Sequence, residues 1–287
     1  MLQDPLTNSP LPYPAPDDPF VRDGEGNPTA YPVRRGVPIL LPPRPEAQGD
    51  FDYVDHYQKD AREFDYFQPY EDPATTHENR RLHEAILTKL PAEARTVLDV
   101  GCGGGWLAGA IKDRVESLVS FDISLDNVLG TLQLNPAPSH RGVVGDVLAL
   151  PFSDASFDAV VSAEVIEHVP DVNGYLHQIV RVLKPGGRAV ISTPYKETIQ
   201  YSLCIHCNNP TPHNAHLRSF DERSLDGMLG QLPVTLQHVI FSNKGLLFGR
   251  THKVLHRLPH AAWRAVDRVA NGILRKPSRI IYVIDKH

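Results

Sequence analysis

Between residues 96 and 194 short apolar runs alternate with helix-like patterns, and this alternation narrows the fold to one class. "TVLDV" (96–100), "SLVSFDI" (117–123), "GVVGD" (142–146), "FDAVVSA" (157–163) and "RAVISTP" (188–194) have strand character. Helical patterns over 105–114, 124–133 and 172–183 lie between them. "VTLQHVIF" (234–241) and "RIIYVID" (279–285) add two more strands, with a longer excursion between them. Strands and helices at this spacing predict βαβ units: an α/β, doubly wound, seven-stranded and mainly parallel sheet covered on both faces. Hydrophobic content of 41% and charged content of 22% suit such a globular chain of 287 residues.

The flanks differ in character. Residues 1–50 hold nearly half of the chain's 26 prolines, which disfavours long helices there. Turn signals at Asp23-Gly24 and Gly26-Asn27-Pro28 bracket "TAYPV" and "VPILL", which read as short strands of a small proline-rich module. Residues 51–92 read as a helical segment over the cofactor side, with Tyr57, Phe64 and Phe67 spaced like one helix face. Its second helix carries a capping-box signature from Thr75 to Glu78, an apolar stripe through Leu82, Ile86, Leu87 and Leu90, and a stop at Pro91. The main domain then runs over 93–287, with insertions at 197–220 and 244–278. No apolar run approaches the ~20 residues that cross a bilayer. The N-terminus lacks the basic start and apolar core of a secretory signal. Three cysteines do not make a disulfide framework, so a cytoplasmic location is expected.

The turn after the first strand, "DVGCGGG", is where a doubly wound sheet binds its ligand. Two nucleotide types compete for it. Gly103, Gly105 and Ala108 fit the G-x-G-x-x-G/A dinucleotide fingerprint. Asp99, Gly101, Gly103 and Gly105 fit the D-x-G-x-G-x-G turn of S-adenosylmethionine sites. Asp99 suits a positively charged amino group and would repel a pyrophosphate, which favours the second reading. Asp122 ends the second strand, where a carboxylate can accept both ribose hydroxyl protons. Asp146 follows the third strand and can take an adenine amino group, with Val147 against the ring.

"LDVGCGGG", "FDIS", "GDVLALPFSDASFDAVVSAEVIEHV" and "RVLKPGGRAVISTP" together resemble the class I S-adenosylmethionine-dependent methyltransferases, in the broad group containing ubiquinone and menaquinone methyltransferases. The resemblance covers residues 96–194. It implies a Rossmann-like mixed sheet whose last strand is antiparallel. It also implies that Gly101, Gly103, Gly105, Asp122, Ile123, Asp146, Val147, Ala163 and Glu164 line the cofactor. By the same resemblance His168, in "EVIEHV", is a candidate catalytic base; a plain helix-start role is the alternative. Residues 23–43, "DGEGNPTAYPVRRGVPILLPP", resemble the C-terminal part of the small zinc-ribbon-like proteins that activate certain tRNA and protein methyltransferases; an ordered proline-rich arm packed on the main domain is the alternative. The cysteines of that family are missing, which implies a metal-free module.

Two features lie outside this pattern. Cys204, Cys207, His213 and His216 offer four ligands within thirteen residues, a set suited to a structural zinc. A reduced active-site lid with a histidine base and a redox-sensitive cysteine pair are the other readings. Residues 244–278 are basic, and Trp263, Val266, Val269, Ala270 and Ile273 give an amphipathic helix. That helix reads as a cap on the domain, a nucleic-acid surface, or a surface for a lipid-like acceptor. The combined expectation is methyl transfer from S-adenosylmethionine to an oxygen or nitrogen of a small-molecule acceptor. An RNA or protein acceptor is the alternative. An NAD-dependent oxidoreductase and a non-catalytic binding module stand further off.

Overall fold

The computed structural model describes residues 2–42, 52–69, 71–205 and 208–287, with the backbone alone at 247 and 248. Near the N-terminus, β1 (Leu2–Gln3) pairs with β2 (Pro10–Leu11), and β3 (Phe20–Arg22), β4 (Pro28–Arg34) and β5 (Val37–Leu40) form an antiparallel meander. Helices α1 (Tyr53–Glu63) and α2 (Pro73–Leu87) follow. The alternating core comes next: β6 (Thr96–Val100), α3 (Trp106–Ile111), β7 (Ser117–Asp122), α4 (Leu125–Leu134), β8 (His140–Gly145), β9 (Phe157–Ala163), α5 (Val172–Val182) and β10 (Leu183–Pro194). A small hairpin, β11 (Tyr201–Leu203) with β12 (Pro210–Pro212), and a short α6 (Asp226–Leu229) precede β13 (Val234–Asn243). The last crossover carries α7 (Lys244–Phe248), α8 (His252–Leu255) and α9 (His260–Leu274) before β14 (Pro277–Lys286).

The central sheet has ten strands in the order β13-β14-β10-β9-β6-β7-β8-β5-β4-β3. Seven of them, β6 to β10 with β13 and β14, are those the hydrophobic pattern predicts. β14 runs antiparallel to both β10 and β13. The other three come from the proline-rich segment. β5 adds parallel to β8, with Ile39 opposite Val144 and Leu40 opposite Gly145. The Tyr13 hydroxyl donates to the Gly142 carbonyl at 2.6 Å. The segment therefore covers a sheet edge that would otherwise present unpaired backbone groups.

Successive strand residues enter different apolar layers, as a strand's period of two requires. Val97 packs with Leu82 and Ile86 of α2, Leu107 of α3 and Trp263 of α9. Leu98 packs with Tyr175, Leu176 and Ile179 of α5. At the end of the sheet opposite the glycine turn, Asp158 ties three strands together. It accepts from the Arg95 and Thr96 amides at 3.0 and 2.8 Å and from Lys184 Nζ at 2.7 Å.

Local expectations fail in three places. The cap of α2 is Asp72, which accepts from the Ala74 and Thr75 amides, with Pro73 in the first turn. The helix thus begins before the Thr75 box, because an Asp-Pro pair supplies both cap and fixed φ. Glu78 is thereby freed to accept from Ser242 and Ser278. Helix α1 ends at Glu63, so Phe67 lies beyond it and packs its ring on the Gly130 face of α4. On α9 only Trp263 of the predicted apolar row is deeply buried, while Val269 and Ile273 are exposed.

Candidate active site

The glycine turn is bound to β7 before any ligand enters. The Gly101 and Cys102 amides donate to the Phe121 carbonyl at 2.8 and 3.1 Å, and the Gly103 amide donates to Asp122 Oδ2 at 3.1 Å. Gly105 sits at φ 73°, and a Cβ there would lie 2.8 Å from Thr131 Oγ1, so both backbone and space demand glycine. Gly103, at φ 45°, differs. A Cβ on it meets no protein atom within 4 Å and projects into open space.

That space is a cavity of about 170 Å³. Of the sequence-predicted cofactor residues, Gly101, Gly103, Asp122, Ile123, Val147 and Glu164 form its walls. Four others stand back from it. Gly105 packs on α4. Ala163 packs with the layer that holds Leu107 and Trp263. Asp146 caps the short turn after β8 and accepts from the Tyr53 hydroxyl at 2.5 Å. Asp99 is buried behind the turn, 2% exposed, and its Oδ2 has no hydrogen-bond partner. Burial, and then the charge of Asp122, push the Asp99 carboxyl up to about 8.

These features fit S-adenosylmethionine. An orphaned buried carboxylate oxygen beside the turn answers an ammonium group. Asp122 accepts from Gly103, Ser124 and Asn127, and a carboxylate's roughly four lone-pair positions leave one for a ribose hydroxyl.

A second, larger cavity of about 1800 Å³ adjoins the first. The two share Tyr57, Asp60, Tyr66, Glu164 and His168 as walls. The acceptor side is assembled from distant segments: α1, the loop after it, the start of α2, residues 194–197 and 209–217, and Ser278–Arg279 of β14. Its charge is one-sided. Asp60, Asp65, Glu78, Glu164, Glu167 and Glu197 face Lys244 and Arg279. Arg279 also pairs with Glu164, which takes a further hydrogen bond from Ser192 Oγ at 3.0 Å.

His168 lies on the shared wall. Its Nδ1 is 2.8 Å from the Tyr57 hydroxyl and 3.3 Å from the Ala215 carbonyl. Burial, followed by His216, lowers its pKa to about 4, so the ring is neutral near pH 7. A base of that strength is poorly matched to removing a proton at neutral pH. The neighbouring Glu167 is 1% exposed, accepts from Thr193 Oγ1 at 3.0 Å, and is pushed well up by burial and by Glu164.

The expected zinc set is not gathered among the described residues. Cys207 lies outside them, and Cys204 stands on the turn after β11. His213 Nε2 sits 2.5 Å from Ser202 Oγ. His216 turns its Nδ1 to Glu197 at 2.5 Å, with its ring 4.8 Å from that of His168. Tyr57, expected on a helix face over the cofactor side, lines both cavities, whereas sequence reasoning does not single out Glu167, Glu197 or Arg279 as site residues. Glu167 sits inside the quoted "EVIEHV" run, and the others had no local signal.

Residues 98–191 match the family described as a methyltransferase domain. The chain is 34% identical over 117 residues to a ubiquinone biosynthesis O-methyltransferase of Alkalilimnicola ehrlichii, an alignment spanning 39% of this chain and 47% of that protein. The chain thus spans about half the length of that curated relative. Among solved structures, it resembles an S-adenosylmethionine-dependent methyltransferase from Mesorhizobium loti, with a TM-score of 0.54 at 15% identity over 73% of this chain and 100% of the other. A chain from the complex between the Haloferax volcanii Trm112 methyltransferase activator and a methyltransferase gives a TM-score of 0.53 at 20% identity, over 83% of this chain and 100% of that one. These two likenesses speak for the fold. The matched domain, with the glycine turn and the acidic groups around it, makes residues 98–191 a class I S-adenosylmethionine-dependent methyltransferase domain.

Proposed function

We propose that the chain transfers a methyl group from S-adenosylmethionine to an oxygen or nitrogen of a small-molecule acceptor held in the larger cavity, acting in the cytoplasm. One observation carries this reading: the cofactor-side and acceptor-side cavities meet at a common wall of Tyr57, Asp60, Tyr66, Glu164 and His168. S-adenosylmethionine supplies an electrophilic methyl on a sulfonium, with a neutral thioether as leaving group. The protein's task is then alignment and exclusion of water. Gly103 leaves space for the nucleoside, Asp122 would accept from its ribose, and Asp99, set behind the turn, would offset its ammonium charge without lining the cavity. Tyr57 and Tyr66 close the wall from the α1 side.

The six carboxylates of the acceptor cavity disfavour a phosphate-rich substrate by charge repulsion. This supports a neutral or cationic small molecule over RNA. No helix among the described residues is long and apolar enough to cross a membrane. A structural zinc on Cys204, Cys207, His213 and His216 is not part of the proposal, because Ser202 and Glu197 already engage the two imidazoles. Calorimetry with S-adenosylhomocysteine, followed by labelled-methyl transfer over cell extract, tests the reading. Tight binding and a labelled small molecule identified by mass spectrometry are expected. Failure to bind S-adenosylhomocysteine, or label confined to RNA or protein, would overturn it.

A further inference from the structure

The acceptor cavity contains a group of side chains that the methyl-transfer chemistry alone does not require. One ligand atom from each of Glu167, His168 and His216 lies within 4.8 Å of the others. These residues come from the short turn after β9 and from the 213–216 turn, more than forty positions apart. We propose that Glu167, His168 and His216 form a divalent-cation site on the wall between the two cavities, and that the cation holds a hydroxyl oxygen of the methyl acceptor. The proposal rests on the methyl-transfer reading and narrows its acceptor to an oxygen nucleophile.

Three features of the geometry converge on a cation. The first is the orientation of the imidazoles. Glu197 Oε2 takes His216 Nδ1 at 2.5 Å, and a carboxylate accepts a proton there. The Ala215 carbonyl, which can only accept, lies 3.3 Å from His168 Nδ1. His216 therefore carries its proton on Nδ1 and keeps its Nε2 lone pair free, and His168 does the same with the Tyr57 hydroxyl, 2.8 Å from its Nδ1, accepting alongside Ala215. Metal-ligating histidines are held by their second nitrogen in this way. The second feature is the donor set. Two imidazole nitrogens and one carboxylate leave coordination positions open and suit a first-row divalent ion. The third is charge: Glu167 is buried and the cavity holds six carboxylates against two basic side chains. A dication offsets that imbalance.

The present separation is wider than a bound ion would allow. Ligands about 2.1 Å from a common centre stand roughly 3–3.4 Å apart, so the three side chains close inward on binding. His216 is only 12% exposed but sits on a turn rather than in a strand, which leaves it free to shift. An acceptor hydroxyl then fills an open position and loses its proton to solvent water. The oxygen–methyl bond forms as the sulfur–methyl bond breaks, and that electron pair stays on sulfur. His168 acts here as a ligand, and no protein base is needed.

The test uses the full chain stripped with chelator and loaded with S-adenosylhomocysteine. Titration with manganese chloride should show one ion per chain. The spin-echo modulation of bound Mn²⁺ should show imidazole nitrogen. His216→Ala and Glu167→Gln should each weaken Mn²⁺ at least tenfold while S-adenosylhomocysteine affinity stays within twofold, which verifies the fold. Cys204→Ser should leave Mn²⁺ affinity unchanged. Absence of stoichiometric uptake, uptake indifferent to His216→Ala, or uptake lost in Cys204→Ser would overturn the site. Since S-adenosylhomocysteine binding is read separately, failure of the cation site is distinguishable from failure of the methyltransferase reading.

Discussion

The two cavities that meet at His168 are built by opposite means. The cofactor cavity is floored by one βα turn and by the tips of adjacent parallel strands, with the Gly101 amide bound to the Phe121 carbonyl at 2.8 Å and the Gly103 amide to the Asp122 carboxylate at 3.1 Å. Its shape is fixed by the sheet. The acceptor cavity draws on α1, a loop and hairpin after β10, and the start of β14, and it is held by side-chain contacts such as Tyr57–His168 and Glu197–His216. A ligand common to a whole family can be served by a rigid local turn. A ligand particular to one chain calls for parts that vary independently, and loops on a fixed scaffold provide them.

The sharpest way to break this contrast is to fill the rigid side. Gly103→Val places a side chain in the cofactor cavity at a φ of 45°, where nothing but the nucleoside competes for the space. S-adenosylhomocysteine affinity should fall at least a hundredfold, about 2.7 kcal/mol. The strained backbone should lower stability by about 1–2 kcal/mol. Calorimetry and thermal melts read the two effects. Wild-type affinity in a folded variant would show that the nucleoside does not lie against this turn, and the assignment of the two cavities would be reversed.

A smaller effect with a distinctive sign comes from Asp99. Its carboxyl is buried, one oxygen lacks a partner, and its pKa is raised to about 8. The folded value is above the unfolded one. Its contribution to stability is therefore full below about pH 4 and is lost as pH rises towards 8. Asp99→Asn removes that cost. The variant without cofactor should melt higher than wild type, by a margin that grows between pH 5 and pH 8. Its S-adenosylhomocysteine affinity should nevertheless drop about tenfold, because the ammonium loses its counter-charge. A margin that shrinks with rising pH would mean the carboxyl is ionised at no cost, and Asp99 would then be a structural group only.

The same contrast governs what the sequence discloses. The seven core strands and the glycine turn are legible because each depends on residues a few positions apart: period, glycine and a terminal acid. The three added strands are half-legible. "TAYPV" and "VPILL" have strand character, but β5's partner β8 lies about a hundred residues away, and no local signal names it. The acceptor side is least legible. Cys204, Cys207, His213 and His216 are close in sequence, and spacing alone groups them. In the fold His216 turns instead to Glu197, a half-buried acidic partner at 2.5 Å, and to the ring of His168, forty-eight positions upstream. Proximity along the chain misleads wherever the backbone between the residues is a loop.

The mildest perturbation asks whether the acceptor side really works through contacts of this kind. Tyr57→Phe keeps the ring against His168, 5.3 Å between centroids, and removes only the hydroxyl 2.8 Å from Nδ1. The Ala215 carbonyl still holds the Nδ1 proton, but at 3.3 Å and alone it orients the imidazole less firmly. Methyl transfer should slow about three- to tenfold, the scale of one neutral hydrogen bond. S-adenosylhomocysteine affinity and melting temperature should stay close to wild type, since the phenol contributes its ring to packing in either variant. The loss should fall on kcat rather than on cofactor KM, because the hydroxyl positions the acceptor side. A variant that loses cofactor binding in proportion would place Tyr57 with the rigid turn, and the boundary between the two cavities would then lie on the other side of α1.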